Sequence, residues 1–339
     1  MRVVADDKIP YLKGVLEAYG IEVDYLPGAA ISPSDVLRAD ALLVRTRTRC
    51  DRRLLEGSSV RFIATATIGF DHLDTNYLQQ AGIYWTNCPG CNAASVAQYI
   101  HSTLLVLQQE GYLELKQTTV GVVGVGHVGT RVARAAEQLG CRVLLNDPPR
   151  QAAGHTGFVS LEQLADECDV LTFHTPLVRE GKWPTLHLAD AKLLQSLRKK
   201  PVLINSGRGE VVDNAALLQA LHAGSVRQAV IDTWENEPLI SRPLLDAVCI
   251  GTPHIAGYSA DGKANATRMS LEALCRFFGI PQTFTITPPD LPDTLRLSTD
   301  HNERALQLYD PRTDSRALKA HPENFELLRG NYPLRREEA

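Results

Sequence analysis

The stretch Val120-Gly121-Val122-Val123-Gly124-Val125-Gly126-His127-Val128-Gly129 decides how this chain is read. Residues 120–123 form a β-rich apolar run, and residues 128–139 repeat their apolar positions at helical spacing. Glycines are common in turns, so G-x-G-x-x-G alone says little. Between a strand and a helix it has the context that dinucleotide binding requires. The first glycine permits a tight turn, the second lets backbone amides approach a pyrophosphate, and the third lets helix pack on strand. An anion placed there meets the unpaired amides and the positive end of the helix. Gly124, Gly126, His127, Val128 and Gly129 are therefore expected to hold a dinucleotide. Asp147 stands 18 residues beyond Gly129, at the end of the next strand. Its carboxylate can accept hydrogen bonds from both adenosine ribose hydroxyls and would repel a 2′-phosphate. NAD is favoured over NADP, with Arg150 nearby keeping NADP as the alternative. The plain reading is a βα turn with Asp147 on the surface before Pro148-Pro149.

Outward from this loop, strand and helix alternate in two series. The first has strand-like runs at 3–5, 21–25, 41–44, 62–65 and 83–86, with helical patterns at 10–19, 50–56 and 73–81. A longer helix at 93–110, apolar at Val96, Ile100, Leu104 and Leu107, leads out of it. The second series has runs at 120–124, 142–145, 170–173, 202–205, 229–231 and 249–251, with helices at 128–139, 161–167, 189–197 and 215–223. Apolar runs separated by amphipathic helices make βαβ units around parallel sheets, and six runs with crossovers fit a doubly wound sheet. The expected fold is α/β, with a Rossmann-type nucleotide domain at 99–258 inserted into a first domain built from 1–98 and 259–286. The return helix is 262–278. Beyond about residue 283 the chain becomes proline-rich at Thr287-Pro-Pro-Asp-Leu-Pro292 and then charged at 312–316 and Arg335-Arg336-Glu337-Glu338. Residues 287–339 read as an appendage.

At ~150 residues per domain, 339 residues correspond to about two domains. A hydrophobic fraction of 44% against 22% charged fits a chain with a real core and excludes a mostly disordered or collagen-like one. The net charge of −4 gives no support to nucleic acid or a membrane surface as partner. No apolar run approaches the ~20 residues of a bilayer span. A small molecule is the expected partner. The chain passes from Met1-Arg2 directly into a strand-like run, with no signal peptide pattern, and its seven scattered cysteines suit reduced thiols. A cytoplasmic location follows as an expectation. Cys88-Pro-Gly-Cys91 has C-x-x-C spacing, yet no second pair completes a zinc site, so no metal is expected.

Three later residues each follow a strand-like run, where open α/β sheets place ligands. They are Arg208 in Asn205-Ser-Gly-Arg-Gly209, Glu237 in Asp232-Thr-Trp-Glu-Asn-Glu-Pro238, and His254 in Thr252-Pro-His-Ile-Ala-Gly257. Singly, Arg208 is a solvated loop charge, Glu237 a helix-start acid and His254 a polar turn residue. Together on the edge that carries a dinucleotide loop, they supply what oxidation of a secondary alcohol needs. Imidazole titrates near neutral pH and suits a base for the hydroxyl proton. A carboxylate can orient that base and stabilise the imidazolium. A guanidinium can hold a substrate carboxylate through two parallel hydrogen bonds.

The glycine loop, Asn205-Ser-Gly-Arg-Gly-Glu-Val-Val-Asp213, Asp232 to Pro238 and Thr252-Pro-His-Ile-Ala256 resemble, in order, the signature blocks of the D-isomer-specific 2-hydroxyacid dehydrogenase family. Further blocks resemble one phosphate-handling branch of it: Val44-Arg-Thr46, Ala64-Thr-Ala-Thr-Ile-Gly-Phe-Asp-His72, Pro89-Gly-Cys-Asn-Ala93, Asp147-Pro-Pro-Arg150, Leu171 to Pro176, Thr185 to Asp190, and His254-Ile-Ala-Gly-Tyr258. The similarity reaches Tyr309-Asp-Pro-Arg312 and Leu327-Leu-Arg-Gly-Asn-Tyr332, nearly the whole chain. It implies a flavodoxin-like substrate domain, a homodimer whose C-terminal segment helps build the interface, and NAD-dependent oxidation of 4-phospho-D-erythronate to 3-hydroxy-2-oxo-4-phosphooxybutanoate in pyridoxal phosphate synthesis. It also implies substrate contacts at Thr46, Thr67 and Tyr258, and NAD contacts at Asp147, Thr175, Ser206, Gly207, Arg208, Asp232 and Gly257. Thr46 stands where a serine is more usual, and the chain stops soon after Arg335-Arg336. Arg45, beside Thr46, is the candidate for the substrate phosphate, its plain reading being a solvated loop arginine. The alternatives are a relative acting on another hydroxy acid such as phosphoglycerate, and a nucleotide-sensing binding protein of the corepressor kind that keeps the fold without catalysis.

Overall fold

The computed structural model describes residues 1–291, 295–333 and 335–337, so Pro292 and Glu338 of the C-terminal motifs lie outside the described residues. The chain forms two compact units, Met1–Asn92 with Ser259–Pro292, and Ala93–Tyr258 with Asp293–Ala339.

In the first unit, β1 (Arg2–Asp6), β2 (Glu22–Leu26), β3 (Ala41–Val44), β4 (Phe62–Thr65) and β5 (Tyr84–Thr86) make a parallel sheet ordered β2-β1-β3-β4-β5. That is the flavodoxin-like order. β3 and β4 are buried along their whole length, so they read as unbroken apolar runs rather than alternating ones. The helix Ala260–Phe278 belongs to this unit and buries Ala264, Ala266, Leu271 and Leu274 against it. Residues 10–19 do not form the helix that their pattern predicts. Tyr11 and Gly14 take φ of +61° and +86°, values incompatible with a right-handed helix, and only the 3₁₀ turn Glu17–Tyr19 remains.

In the second unit, β6 (Thr119–Val123), β7 (Arg142–Asn146), β8 (Val170–Phe173), β9 (Val202–Asn205), β10 (Gln228–Ile231) and β11 (Ile250–Gly251) make a parallel sheet ordered β11-β10-β9-β8-β6-β7. β7 lies on one side of β6 and β8 on the other, so the chain direction across the sheet reverses at β6. Ligands of doubly wound sheets bind at that reversal. Val123 pairs in register with Asn146 and Phe173, Phe173 with Asn205, Asn205 with Ile231, and Ile231 with Gly251. The residues that follow each strand therefore emerge along one carboxyl edge.

The C-terminal segment contains three helices that the sequence reading did not place: His301–Leu308, Pro311–Ala320 and Phe325–Gly330. Asp300 and Asp310 cap the first two. Their apolar residues are sparse, which hides the helical period. Leu318 and Phe325 are nonetheless buried in the core of the second unit.

Candidate active site

Gly124 takes φ +85°, and its amide donates to the Asn146 carbonyl at 2.9 Å. A Cβ on Gly129 would lie 2.0 Å from the Gly124 carbonyl oxygen, so only glycine lets the helix His127–Gln138 close on the turn. Gly126 is the N-cap of that helix and no side chain caps it; a Cβ there would meet nothing within 4 Å. His127 is exposed and Val128 half-buried beside it. Asp147 accepts from the Val125 amide at 2.8 Å and from the Arg150 amide at 3.0 Å. The Arg150 guanidinium donates to the Val125 carbonyl and lies over the Phe158 ring, so it braces the glycine loop. A Cβ on Gly207 would come within 3.1 Å of the Phe173 carbonyl oxygen and 3.2 Å of the Thr175 one. Thr175 Oγ1 is buried without a hydrogen-bond partner among the described residues. An uncapped helix start, glycines where any side chain would collide, and an orphaned hydroxyl beside them fit a bound dinucleotide pyrophosphate.

His174 carries no motif or spacing of its own that marks it in the sequence. Its Nε2 contacts Thr172 Oγ1 at 2.9 Å and its Nδ1 contacts Ser206 Oγ at 3.3 Å. Burial pushes its pKa down to about 3, so it stays neutral while tying the ends of β8 and β9 together. Polar side chains that work through another residue leave no spacing signal.

Arg208 follows β9, and its Nη1 donates to the Gly207 carbonyl at 2.8 Å. Among the described residues no carboxylate pairs with it. Asn205 is fully buried and holds the loop from below, donating to the Arg208 carbonyl at 3.0 Å. His254 sits at φ +56°, a left-handed conformation that costs a non-glycine residue about 1–3 kcal/mol unless its surroundings hold it. They do. The His254 amide donates to the Asp232 carbonyl at 2.9 Å, and the Asp232 carboxylate accepts from Thr252 Oγ1 at 2.6 Å, Ile255 N at 2.8 Å and Ala256 N at 3.0 Å. Burial pushes the Asp232 carboxyl above the ordinary carboxylate value, against the pull of those donors and of His254. Gly257 and Tyr258 continue this loop, and the Tyr258 amide donates to the Ile255 carbonyl at 2.8 Å.

His254 Nδ1 meets Glu237 Oε2 at 2.8 Å, and Glu237 Oε1 accepts from the Trp234 amide at 2.9 Å. Burial alone would raise the Glu237 carboxyl, but the hydrogen bond and charge of His254, with the Trp234 amide, outweigh it and hold the group below its ordinary 4.5. An ionised Glu237 only accepts, so Nδ1 carries a proton, and in the neutral form of the ring the lone pair is on Nε2. Nε2 makes no hydrogen bond among the described residues, and the His254 side chain is 27% exposed. The ring therefore has one nitrogen anchored and the other open. Because the folded carboxyl titrates lower than an unfolded one, its contribution to stability is present above its ordinary value and lost as the pH falls through the lowered one. Between about pH 6 and about pH 3 the urea midpoint of the wild type should fall more steeply than that of Glu237→Gln. Parallel slopes would show that the pair adds no stability.

In the first unit, Asp6, Arg45 and Thr65 stand at the ends of the adjacent strands β1, β3 and β4. Arg45 Nε lies 3.3 Å from Asp6 Oδ2, and Asp6 is 1% exposed. Arg45 is thus oriented by a buried carboxylate rather than freely solvated. Thr46 is exposed next to it. Thr67 Oγ1 contacts Thr65 Oγ1 at 2.7 Å and donates to the Gly69 carbonyl at 2.9 Å. Cys88 is fully buried against the Ala266 carbonyl and Ser270 Oγ, and burial pushes its thiol up to about 11. Cys91 is buried as well, and among the described residues no group of His, Cys, Asp and Glu is placed to hold a metal ion.

A glycine loop at the switch point of one parallel sheet, with a histidine anchored through one ring nitrogen and an arginine on the same edge, fits the NAD-linked dehydrogenases of the D-isomer-specific 2-hydroxyacid class, and known relatives show that class. Residues 96–256 match the family described as "D-isomer specific 2-hydroxyacid dehydrogenase, NAD binding domain". Over its full length the chain is 58% identical to erythronate-4-phosphate dehydrogenase of Bacteroides fragilis strain YCH46, covering 97% of that protein. It is 44% identical to the enzyme of the same name from Porphyromonas gingivalis, covering 99% of this chain and 94% of that one. Among solved structures, D-2-hydroxyisocaproate dehydrogenase superposes with a TM-score of 0.72 at 25% identity, over 84% of this chain and 99% of that one. The chain belongs to the erythronate-4-phosphate dehydrogenase family.

Proposed function

We propose that the protein oxidises 4-phospho-D-erythronate at C2 to 3-hydroxy-2-oxo-4-phosphooxybutanoate, a step in pyridoxal 5′-phosphate biosynthesis. The observation that carries this reading is the 2.8 Å contact between His254 Nδ1 and Glu237 Oε2, which leaves Nε2 open, in a chain so similar to relatives of that name. NAD held at the glycine loop would supply the hydride acceptor for C2. His254 Nε2 takes the hydroxyl proton, and Glu237 orients the ring and stabilises the imidazolium. Arg208, without a carboxylate partner among the described residues, holds the substrate carboxylate and polarises the forming carbonyl. Gly124, Gly126, His127, Val128 and Gly129 receive the pyrophosphate, and Asp147 the adenosine ribose. Thr175, Ser206, Gly207, Arg208, Asp232 and Gly257 complete the NAD contacts, and Thr46, Thr67 and Tyr258 touch the substrate. Asp232 also holds the His254 loop in place, since its carboxylate accepts from Thr252 Oγ1 and from the amides of Ile255 and Ala256. In this assignment 99–258 binds NAD, 1–98 with 259–286 forms the substrate domain, and 287–339 serves a homodimer. Light scattering during gel filtration tests the dimer, with a monomer mass as the contrary result. Among the described residues none of the seven cysteines is joined in a disulfide, which supports a reducing cytoplasm.

The direct test is NADH absorbance with 4-phospho-D-erythronate, 3-phosphoglycerate and D-lactate side by side, repeated with NADP. Turnover chiefly with 3-phosphoglycerate or D-lactate would replace the substrate assignment, and NAD binding without turnover on any of them would favour a sensor. Arg45 is assigned to the phosphate. Arg45→Ala should lower kcat/KM for 4-phospho-D-erythronate about 10- to 100-fold, the worth of a lost charge-assisted hydrogen bond, and change that for unphosphorylated D-erythronate far less. Equal losses on both substrates would remove Arg45 from that role.

A further inference from the structure

We propose that Arg335, in the C-terminal segment, is a positioning residue for the acid–base loop. Arg335 is only 8% exposed, yet no carboxylate is among its hydrogen-bond acceptors. Its Nη1 donates to the Ile255 carbonyl at 3.1 Å and the Tyr258 carbonyl at 2.9 Å, and its Nη2 donates to the Ala256 carbonyl at 2.6 Å. Nη2 also donates to the Ser95 carbonyl at 3.1 Å and Nε to Gln98 Oε1 at 2.9 Å, both on the helix Ala93–Gln109, while Nη1 shares a third contact with Tyr332 Oη at 3.1 Å. The guanidinium lies 4.1 Å from the centre of the Tyr309 ring. Asp232 takes the amides of Ile255 and Ala256, so the loop is gripped by its N–H groups from one side and its carbonyls from the other.

That loop begins at His254, held in a left-handed conformation, and ends at Tyr258, whose ring packs edge-on against Tyr332. A guanidinium with five donors in a rigid fork can satisfy three carbonyls of a tight turn and still reach Ser95 and Gln98, more than the three donors of an ammonium can do. Its function here is to fix where the His254 ring points, and the proposal rests on the reading of His254 as the base. Burying a cation costs free energy, and here it is matched by saturating every donor and stacking on tyrosine. A segment otherwise assigned to subunit contact thus reaches the chemistry through backbone geometry.

The test uses the full-length protein with Arg335→Met, Arg335→Lys and Gln98→Ala, the last removing one acceptor and loosening the clamp without emptying it. In Arg335→Met, amide hydrogen exchange at Ile255, Ala256 and Tyr258 should quicken at least about 10-fold while amides of β6 keep their protection. kcat should fall on the order of 10- to 100-fold, the effect of an ångström-scale misplacement, with KM for NAD within about twofold and a larger deuterium isotope effect on kcat. Arg335→Lys should recover part of both readouts, and Gln98→Ala should show them in milder form if Arg335→Met does not fold. Unchanged exchange at 255–258, or a loss of kcat no greater than the loss of folded protein, would overturn the proposal. If the wild type does not turn over 4-phospho-D-erythronate but exchange still responds, the clamp stands and the activity reading fails.

Discussion

Replacing His254 by alanine should lower kcat by about 10²- to 10⁴-fold, the range for removing a positioned general base, while NAD affinity changes less than about threefold. The size follows from the geometry. Glu237 is held ionised below its ordinary value and fixes the proton on Nδ1, so Nε2 is the one atom of the pair that can take a proton from substrate. Removing the ring leaves the dinucleotide loop untouched, because that loop is built after β6 and β7 while His254 follows β11. Glu237→Gln is expected to be the milder lesion, since an amide oxygen still accepts from Nδ1 but no longer stabilises an imidazolium. Steady-state rates with fluorescence titration of NADH separate the effects. A turnover number unaltered in His254→Ala would end its assignment as base.

Gly129→Ala and Gly126→Ala should fail in opposite ways. The added methyl at 129 would sit 2.0 Å from a backbone oxygen, and neither that carbonyl nor the helix can yield without opening the strand–helix contact. Overpacking against backbone costs about 3 kcal/mol, which is roughly 6–12 °C in Tm for a unit of this size, and NAD binding should fall with it. At 126 the methyl meets no protein atom within 4 Å. Stability should then change by less than about 1 kcal/mol, the cost of a poorer N-cap, while NAD Kd rises at least about 10-fold because the methyl occupies the approach to the amides. Calorimetry and NAD titration on both variants provide the check. Full NAD affinity in Gly126→Ala would contradict a pyrophosphate at this helix start.

Much of this was legible in the chain itself. The runs at 41–44, 62–65, 170–173 and 202–205 are the observed strands β3, β4, β8 and β9 residue for residue, because strands buried on both faces leave a compact apolar signature. The glycine loop is readable because Gly124 and Gly129 answer steric demands at a fixed spacing, a left-handed turn and a close helix–strand approach. The residues at 10–19 misled because apolar spacing says nothing of two left-handed residues within it. The helices between 301 and 330 were obscured by charge, since their few apolar side chains dock one by one onto a core made elsewhere.

The βαβ alternation and the strand–glycine turn–helix unit are legible in the chain alone, since local sterics and side-chain periodicity set them. Only the tertiary structure decided that Glu237 lies at Nδ1 of His254, that Asp232 and Arg335 grip one loop from opposite sides, and that Arg45 leans on Asp6. These pairings join residues 17, 24, 79 and 39 positions apart. Their physical cause is the register of parallel strands and the burial of charge, which no local pattern encodes.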